Sequence, residues 1–145
     1  MFKDNKYFEE NYKLGDQIGY GATSKVFLIK NKEGKEFALK LININSYITN
    51  LLKKKPTPEY INIVNGLIKK ELLLFNNIKN VPNTISYIEA YENLMINGEP
   101  YVAMIMEYFK GRELKKYLNC FPKDYNPSSN IIFKFFLDML TTLKI

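Results

Sequence analysis

The chain has 145 residues, of which 46% are hydrophobic and 14% aromatic, enough to build the core of one ordinary domain rather than a disordered segment. With Cys120 as its single cysteine and no histidine, it is excluded from internal disulfides, zinc sites of the Cys/His kind and every His-based triad, so its chemistry rests on Lys, Asp, Glu or hydroxyls. The formal net charge of +6 comes from twenty lysines and one arginine scattered along the chain, and base-edge readout favours the bidentate fork of Arg, so no specific nucleic-acid partner is expected.

Residues 1–11 form an N-terminal extension. Residues 12–19, "YKLGDQIG", start a strand; 25–30, "KVFLIK", and 35–42, "KEFALKLI", alternate as a second and a third. Gly34 in the intervening "NKEGK" suits the left-handed position of a tight hairpin, so the first fifty residues predict an antiparallel meander. Thr57 is placed to N-cap a helix with Pro58 at its first position and Glu59 in its first turn. That helix runs through "EYINIVNGLIKKELLLFNNIK" to about Lys79. Two more strands, "TISYIEAYE" and "YVAMIME", are joined by a turn at Asn97-Gly98. A short helix from about Glu113 and an amphipathic one from about Ser129 complete the pattern.

Within the meander, "IGYGATSKV" (residues 18–26) has two glycines able to approach a phosphate. A Rossmann turn or a P-loop must feed directly into a helix, whose N-terminus holds the phosphate. Here the residues that follow are β-branched and alternating, and Ser24 and Val26 stand where a P-loop needs its second Gly and its hydroxyl. Strand, glycine loop, strand remains. Lys40, in "FALK", lies on the strand expected to pair with this hairpin, close enough for its ammonium to reach a phosphate beneath the loop; an exposed strand lysine is the bland alternative. Glu71 argues against that alternative, because it falls within an apolar helical stripe of Val64, Leu67, Ile68, Phe75 and Ile78, and an inward carboxylate is costly unless a cation meets it.

With those residues in hand, the chain resembles the N-terminal lobe of a eukaryotic-type protein kinase. "IGYGATSKV" resembles the glycine-rich loop, "FALK" the strand bearing the ATP-anchoring lysine, "KKELLLFNNIKNVPNTI" the C helix and the turn after it, and "MIMEYFKGRELKKYL" (residues 104–118) the fifth strand, hinge and D helix. The resemblance implies an α+β fold: a five-stranded antiparallel sheet with a C helix over residues 12–105, a hinge at 106–112, and the first helices of the C-terminal lobe at 113–145. It implies ATP as ligand, with loop residues Gly19, Tyr20, Gly21, Ala22, Thr23, Ser24 and Lys25 around the phosphates. Ile18 and Val26 would then lie above the adenine, Ala38 would leave room for its ring, and Met106 would be the gatekeeper. The carbonyl of Glu107 and the backbone of Phe109 would meet the adenine edge, and Glu113 the ribose or a basic substrate residue. Lys40 and Glu71 would form the ion pair of the active arrangement.

The departures are specific. Ser24 replaces a third glycine, Thr23 an aromatic at the loop tip, and Arg112 a glycine after the hinge. The 31-residue separation of Lys40 and Glu71 points to an insertion, "NSYITNLLKKKPTPEY" (residues 45–60), expected as a solvated loop whose Lys53, Lys54 and Lys55 offer charge to an acidic partner. The catalytic loop H-R-D-x-x-x-x-N and the D-F-G, which supply the base and the Mg2+ ligands, occur nowhere in the 145 residues. The expectation is therefore the ATP-binding part of a longer protein kinase, of the Ser/Thr type, inactive by itself, with protein substrate held by a C-terminal lobe. The alternative is a non-catalytic, pseudokinase-like binding module. No apolar run approaches the ~18–20 residues of a membrane span, and the N-terminus is charged where a signal peptide is apolar, so a cytoplasmic setting is the default.

Overall fold

The computed structural model describes residues 2–3, 5–78, 80–111, 116 and 129–143. Its elements run β1 (Phe2–Lys3), α1 (Asn5–Asn11), β2 (Tyr12–Tyr20), β3 (Ser24–Asn31), β4 (Glu36–Asn43), α2 (Ile44–Asn50), α3 (Pro58–Asn77), β5 (Tyr87–Ile96), β6 (Glu99–Glu107) and α4 (Ser129–Leu143). Contacts divide the chain into a larger unit, residues 1–79 with 85–108, and a smaller one, residues 80–84 with 109–145. The helix expected from Glu113 lies outside the described residues.

The larger unit is built on one sheet in the order β1-β5-β6-β4-β3-β2. Strands β2 to β6 are the expected five antiparallel strands, and β1 adds a two-residue parallel pairing beside Ala90 and Tyr91 of β5. Local chemistry sets the turns. Between β3 and β4, Gly34 takes φ +80° and donates to the Asn31 carbonyl, while Asn31 Oδ1 accepts from the Glu33 and Lys35 N–H groups at 3.0 and 2.9 Å. Asn97 and Gly98, at φ +51° and +80°, close the β5–β6 hairpin. Helix α3 starts as its cap signals predict: Thr57 Oγ1 accepts from Tyr60 N–H at 3.3 Å, and Pro58 opens the first turn.

Each face of the sheet has its own core. Ile42, Ala90, Val102 and Met104 pack with Ile44, Ile48, Val64, Ile68 and Leu72 of the helices α2 and α3. Phe37, Leu39, Leu41, Tyr91, Ala103 and Ile105 form the core on the opposite face. There the residues before Tyr12 join in: Phe8 of α1 stacks on Tyr12 at 5.6 Å and meets the Tyr91 ring edge-on at 5.4 Å. The insertion also differs from its expectation. Its first residues belong to α2, where Asn43 accepts from Ser46 N–H as N-cap and Ile44 and Ile48 are fully buried. Lys53, Lys54 and Lys55 are exposed in the connection to α3.

In the smaller unit, α4 is fastened to the segment before β5. Asn83 Nδ2 donates to the Asp138 carbonyl at 3.1 Å, and Thr142 Oγ1 to that of Pro82 at 3.0 Å. The helix exposes Phe133, Phe135, Phe136, Leu137, Met139 and Leu140.

Two glycines make opposite predictions. A Cβ on Gly15 of β2 would stand 2.8 Å from the Leu28 carbonyl oxygen, a backbone atom that cannot turn aside, whereas one on Gly66 of α3 meets nothing within 4 Å. Gly15→Ala is expected to destabilise by about 1–3 kcal/mol and Gly66→Ala to stabilise by about 0.5–1 kcal/mol, both read from urea denaturation midpoints.

Tyr91 makes another. It is fully buried, and its hydroxyl donates to Glu89 Oε2 at 2.6 Å, an oxygen that also accepts from Tyr12 at 3.2 Å. Burial first, and the Glu89 carboxylate second, hold the Tyr91 phenol well above its usual range. Because the unfolded chain ionises this phenol near pH ~10 and the folded chain does not, its stabilising share is complete below ~10 and is lost as pH rises further. Between pH ~10 and ~11 the denaturation midpoint of Tyr91→Phe should therefore fall less than that of the wild type; an equal fall would refute the assignment.

Candidate functional site

Strand β4 places Lys40. Its side chains alternate between the two faces, and the register sets Lys40 opposite Val26 of β3 and Met104 of β6, with Ala38 opposite Leu28 and Met106. Met104 and Ile42, which flank the lysine, belong to the core covered by α3, so Lys40 stands on the α3 side of the sheet. It is half-buried, whereas Ala38, Leu39, Leu41 and Ile42 are buried.

Glu71 corrects the sequence reading. Helix α3 turns Val64, Ile68 and Leu72 to the sheet, with Phe75 packed partly against the same core, while Leu67 is 43% exposed and Glu71 is exposed. The apolar ridge follows four-residue steps from Val64 to Leu72, and Glu71 lies one residue, about 100° of helix, before Leu72. It is not directed inward, and Lys40 and Glu71 form no ion pair in this structure. Helix α3 does make a charged contact with the sheet through Lys69 and Glu92, at 3.3 Å. The signal that finds the ridge is the 64–68–72 spacing itself, which a stripe drawn through Leu67 and Ile78 obscures.

The glycine hairpin joins β2 to β3. Gly19 pairs with Val26 and Tyr20 with Lys25, and the turn closes with the Gly21 N–H donating to the Ser24 carbonyl at 2.7 Å. Neither Gly19 nor Gly21 has positive φ; what favours glycine at 21 is space, since a Cβ there would lie 3.3 Å from Ser24 Oγ. Ile18, Tyr20, Gly21, Ala22 and Lys25 are exposed, and Gly19, Thr23, Ser24 and Val26 are half-buried. At the loop tip the Thr23 carbonyl accepts from the Asn43 N–H at 3.0 Å.

At the end of β6, Met106 is half-buried and pairs with Ala38 on one side and Tyr87 on the other. Glu107 is pinned by Ser86 twice: its N–H donates to the Ser86 carbonyl and its carboxylate accepts from the Ser86 N–H, both at 2.9 Å. The larger unit thus brings together residues 18–26, Ala38, Lys40, Met106 and Glu107. Phe109, 63% exposed, belongs to the smaller unit, and Glu113 lies outside the described residues.

A groove of about 420 Å3 opens beside the hairpin, lined by Gln17, residues 20–25, Leu41, Asn43, Ser46 and Tyr101. Lys25 and Leu41 pair directly, as do Asn43 and Tyr101, on the strand positions that alternate with Lys40; this groove therefore lies on the other face of the sheet from the lysine. Among the described residues no group of three His, Cys, Asp or Glu is placed to hold a metal ion, and no helix is long and apolar enough to cross a membrane.

No curated protein matches the chain. The family model for the protein kinase domain matches residues 12–145. That span begins at the first residue of β2 and takes in the glycine hairpin, the Lys40 strand, helix α3 and the strand ending at Met106 and Glu107. A five-stranded antiparallel sheet in that order, with a glycine hairpin beside a half-buried strand lysine and one long helix on the lysine's face, is a kinase N-terminal lobe, and the chain belongs to the protein kinase family.

Proposed function

We propose that residues 12–145 are the ATP-binding part of a protein kinase of the Ser/Thr type, completed for catalysis by a C-terminal lobe that also holds the protein substrate. The observation that carries this reading is the register of β3, β4 and β6, in which Lys40 neighbours Val26 and Met104 while Ala38 neighbours Met106. The Ser/Thr type rests on the family resemblance alone. A half-buried ammonium with no carboxylate partner is available to an anion, and Ala38 keeps small the one position beside Met106 that a planar ring would need. These residues fit a nucleotide: Ile18 and Val26 over the base, Glu107 carbonyl and Phe109 backbone at its edge, and the backbone of residues 19–25 and Lys40 at the phosphates. Glu113 is assigned to the ribose or to a basic substrate residue. When bound, MgATP supplies the γ-phosphoryl group that passes to a protein hydroxyl. Neither H-R-D nor D-F-G, which supply the base and the Mg2+ ligands, occurs in the sequence, so these residues would hold the nucleotide without turning it over. A MgATP-dependent role goes with an intracellular setting.

The outward Glu71 gives the second reading its observation. A non-catalytic, pseudokinase-like module has no need of the Lys40–Glu71 pair, and α3 exposes Ile63, Leu67 and Leu74 to a partner. Retention of Lys40 on the α3 face favours the nucleotide.

Two predictions separate the readings. Residues 1–145 should bind MgATP in calorimetry, with affinity reduced at least about tenfold in Lys40→Met, and should transfer no labelled phosphate. Joined to a C-terminal lobe carrying H-R-D and D-F-G, the protein should transfer phosphate in a magnesium-dependent reaction that Lys40→Met abolishes. Absence of MgATP binding would favour the module, and robust transfer by residues 1–145 alone would overturn the assignment of catalysis to a second lobe.

Glu71→Ala should leave the stability of the free protein unchanged within about ±0.5 kcal/mol, as read from thermal unfolding, because the carboxylate is exposed and unpaired. If nucleotide draws Glu71 to Lys40, the same variant should bind MgATP several-fold more weakly. A large loss of stability without nucleotide would mean that the ion pair forms in the free protein after all.

A further inference from the structure

Asn43 stands where three elements meet. It is the last residue of β4, and its backbone N–H donates to the Thr23 carbonyl at the tip of the glycine hairpin, at 3.0 Å. Its Oδ1 accepts from Ser46 N–H at 2.8 Å and so caps α2. Its Nδ2 donates to Glu99 Oε2 at 2.7 Å, at the start of β6. One side chain is used as acceptor and donor at once, which among short side chains only the amide of Asn provides in this fork.

We propose that Asn43 is a positioning residue for the glycine hairpin: its side chain, clamped between α2 and β6, fixes the backbone N–H that holds the loop tip at Thr23. On one side the tip is carried by the pairing of Ser24 with Ile42 of β4; on the other, β2 is an edge strand with shifts in register between Leu14 and Gln17 and again between Gln17 and Gly19, and the turn residues close through Gly21 N–H and the Ser24 carbonyl. An unrestrained tip samples heights at which its N–H groups no longer converge on a bound phosphate; the Asn43 bond removes that freedom before the ligand arrives. Disturbing α2 or the Glu99 contact therefore reaches the loop through one residue. The effect on ATP rests on the function proposed above; the effect on the loop does not.

Hydrogen exchange of the Gly21 and Asn43 amides tests the clamp, with MgATP affinity measured alongside. Asn43→Ala should speed exchange at both amides by about fivefold or more beyond any change in α3, and weaken MgATP binding. Glu99→Gln, which keeps an acceptor for Nδ2, should match the wild type, and Asn43→Asp, which keeps the cap but sets a carboxylate against Glu99, should fall between. Asn31→Ala is the control for a general loss of stability, since it removes a comparable side-chain anchor from the turn at the other end of β3. Exchange at Gly21 that is unchanged in Asn43→Ala, or raised equally in Asn31→Ala, overturns the proposal. Faster loop exchange in a protein whose wild type binds no MgATP would sustain the clamp and refute the nucleotide reading instead.

Discussion

Strand β4 is covered on both faces and yet carries a cation, and the rest of the larger unit is arranged around that conflict. Phe37, Leu39 and Leu41 fill one core and Ile42 the other, so the strand cannot slide by one residue without driving Lys40 into the face packed with Tyr91 and Ile105 and turning three large apolar side chains out of it. Moving an ammonium out of water costs several kcal/mol unless a partner compensates, which outweighs the gain from any single misplaced contact. Register is therefore fixed, and with it the neighbours of Lys40: Val26 on the hairpin strand and Met104 on β6. A strand that enters both cores thus carries the charge. Half-burial of the residue is the compromise, since a lysine can pack its apolar stem and still keep its ammonium in water.

Helix α3 shows which force prevails where burial and ion pairing compete. Holding Leu72 against the sheet is worth about 1.5–3 kcal/mol of burial, while an ion pair at a partly exposed site contributes about 0–1 kcal/mol. Carrying Glu71 to the place of Leu72 needs a rotation of about 100° and forfeits the larger quantity for the smaller. The apolar ridge wins, and Glu71 faces outward.

How much of this was legible in sequence follows from how far each element depends on distant parts of the chain. The β2–β4 meander, the Asn97-Gly98 hairpin and the start of α3 at Thr57 are fixed by neighbours in sequence, through alternation, left-handed turn residues and an N-cap, and they stand within a few residues of where those signals put them. Helix α2 carries little sequence signal, because its seven residues offer one buried apolar pair, Ile44 and Ile48, and its stability comes from the core it enters. The same holds for α1, whose Phe8 has no reason to be ordered until Tyr12 and Tyr91 are in place. Glu71 failed for a different cause. Helical periodicity identifies an apolar face but leaves its centre uncertain by about one residue, and one residue decides whether the carboxylate or Leu72 is inside.

The glycine hairpin combines a rigid root with a lightly held tip, and the sequence separates the two. At the root, Gly15 brings β2 so close to the Leu28 carbonyl that no other residue fits, and Phe27 and Ile29 anchor β3 in a core. Toward the tip, the register shifts, the exposed Ile18 and Tyr20, and two glycines with small or polar neighbours leave little apolar surface to hold the chain down. Local opening is cheapest where buried contacts are fewest, so the tip is the part able to lift while the root keeps its strand beside Lys40. A hydrophobic plug at the tip would lock it, since its release would cost a full side-chain burial each time. Single hydrogen bonds such as Asn43 to Thr23 are the lighter restraint, because each is worth about 0.5–1.5 kcal/mol net, enough to bias the position of the tip without locking it.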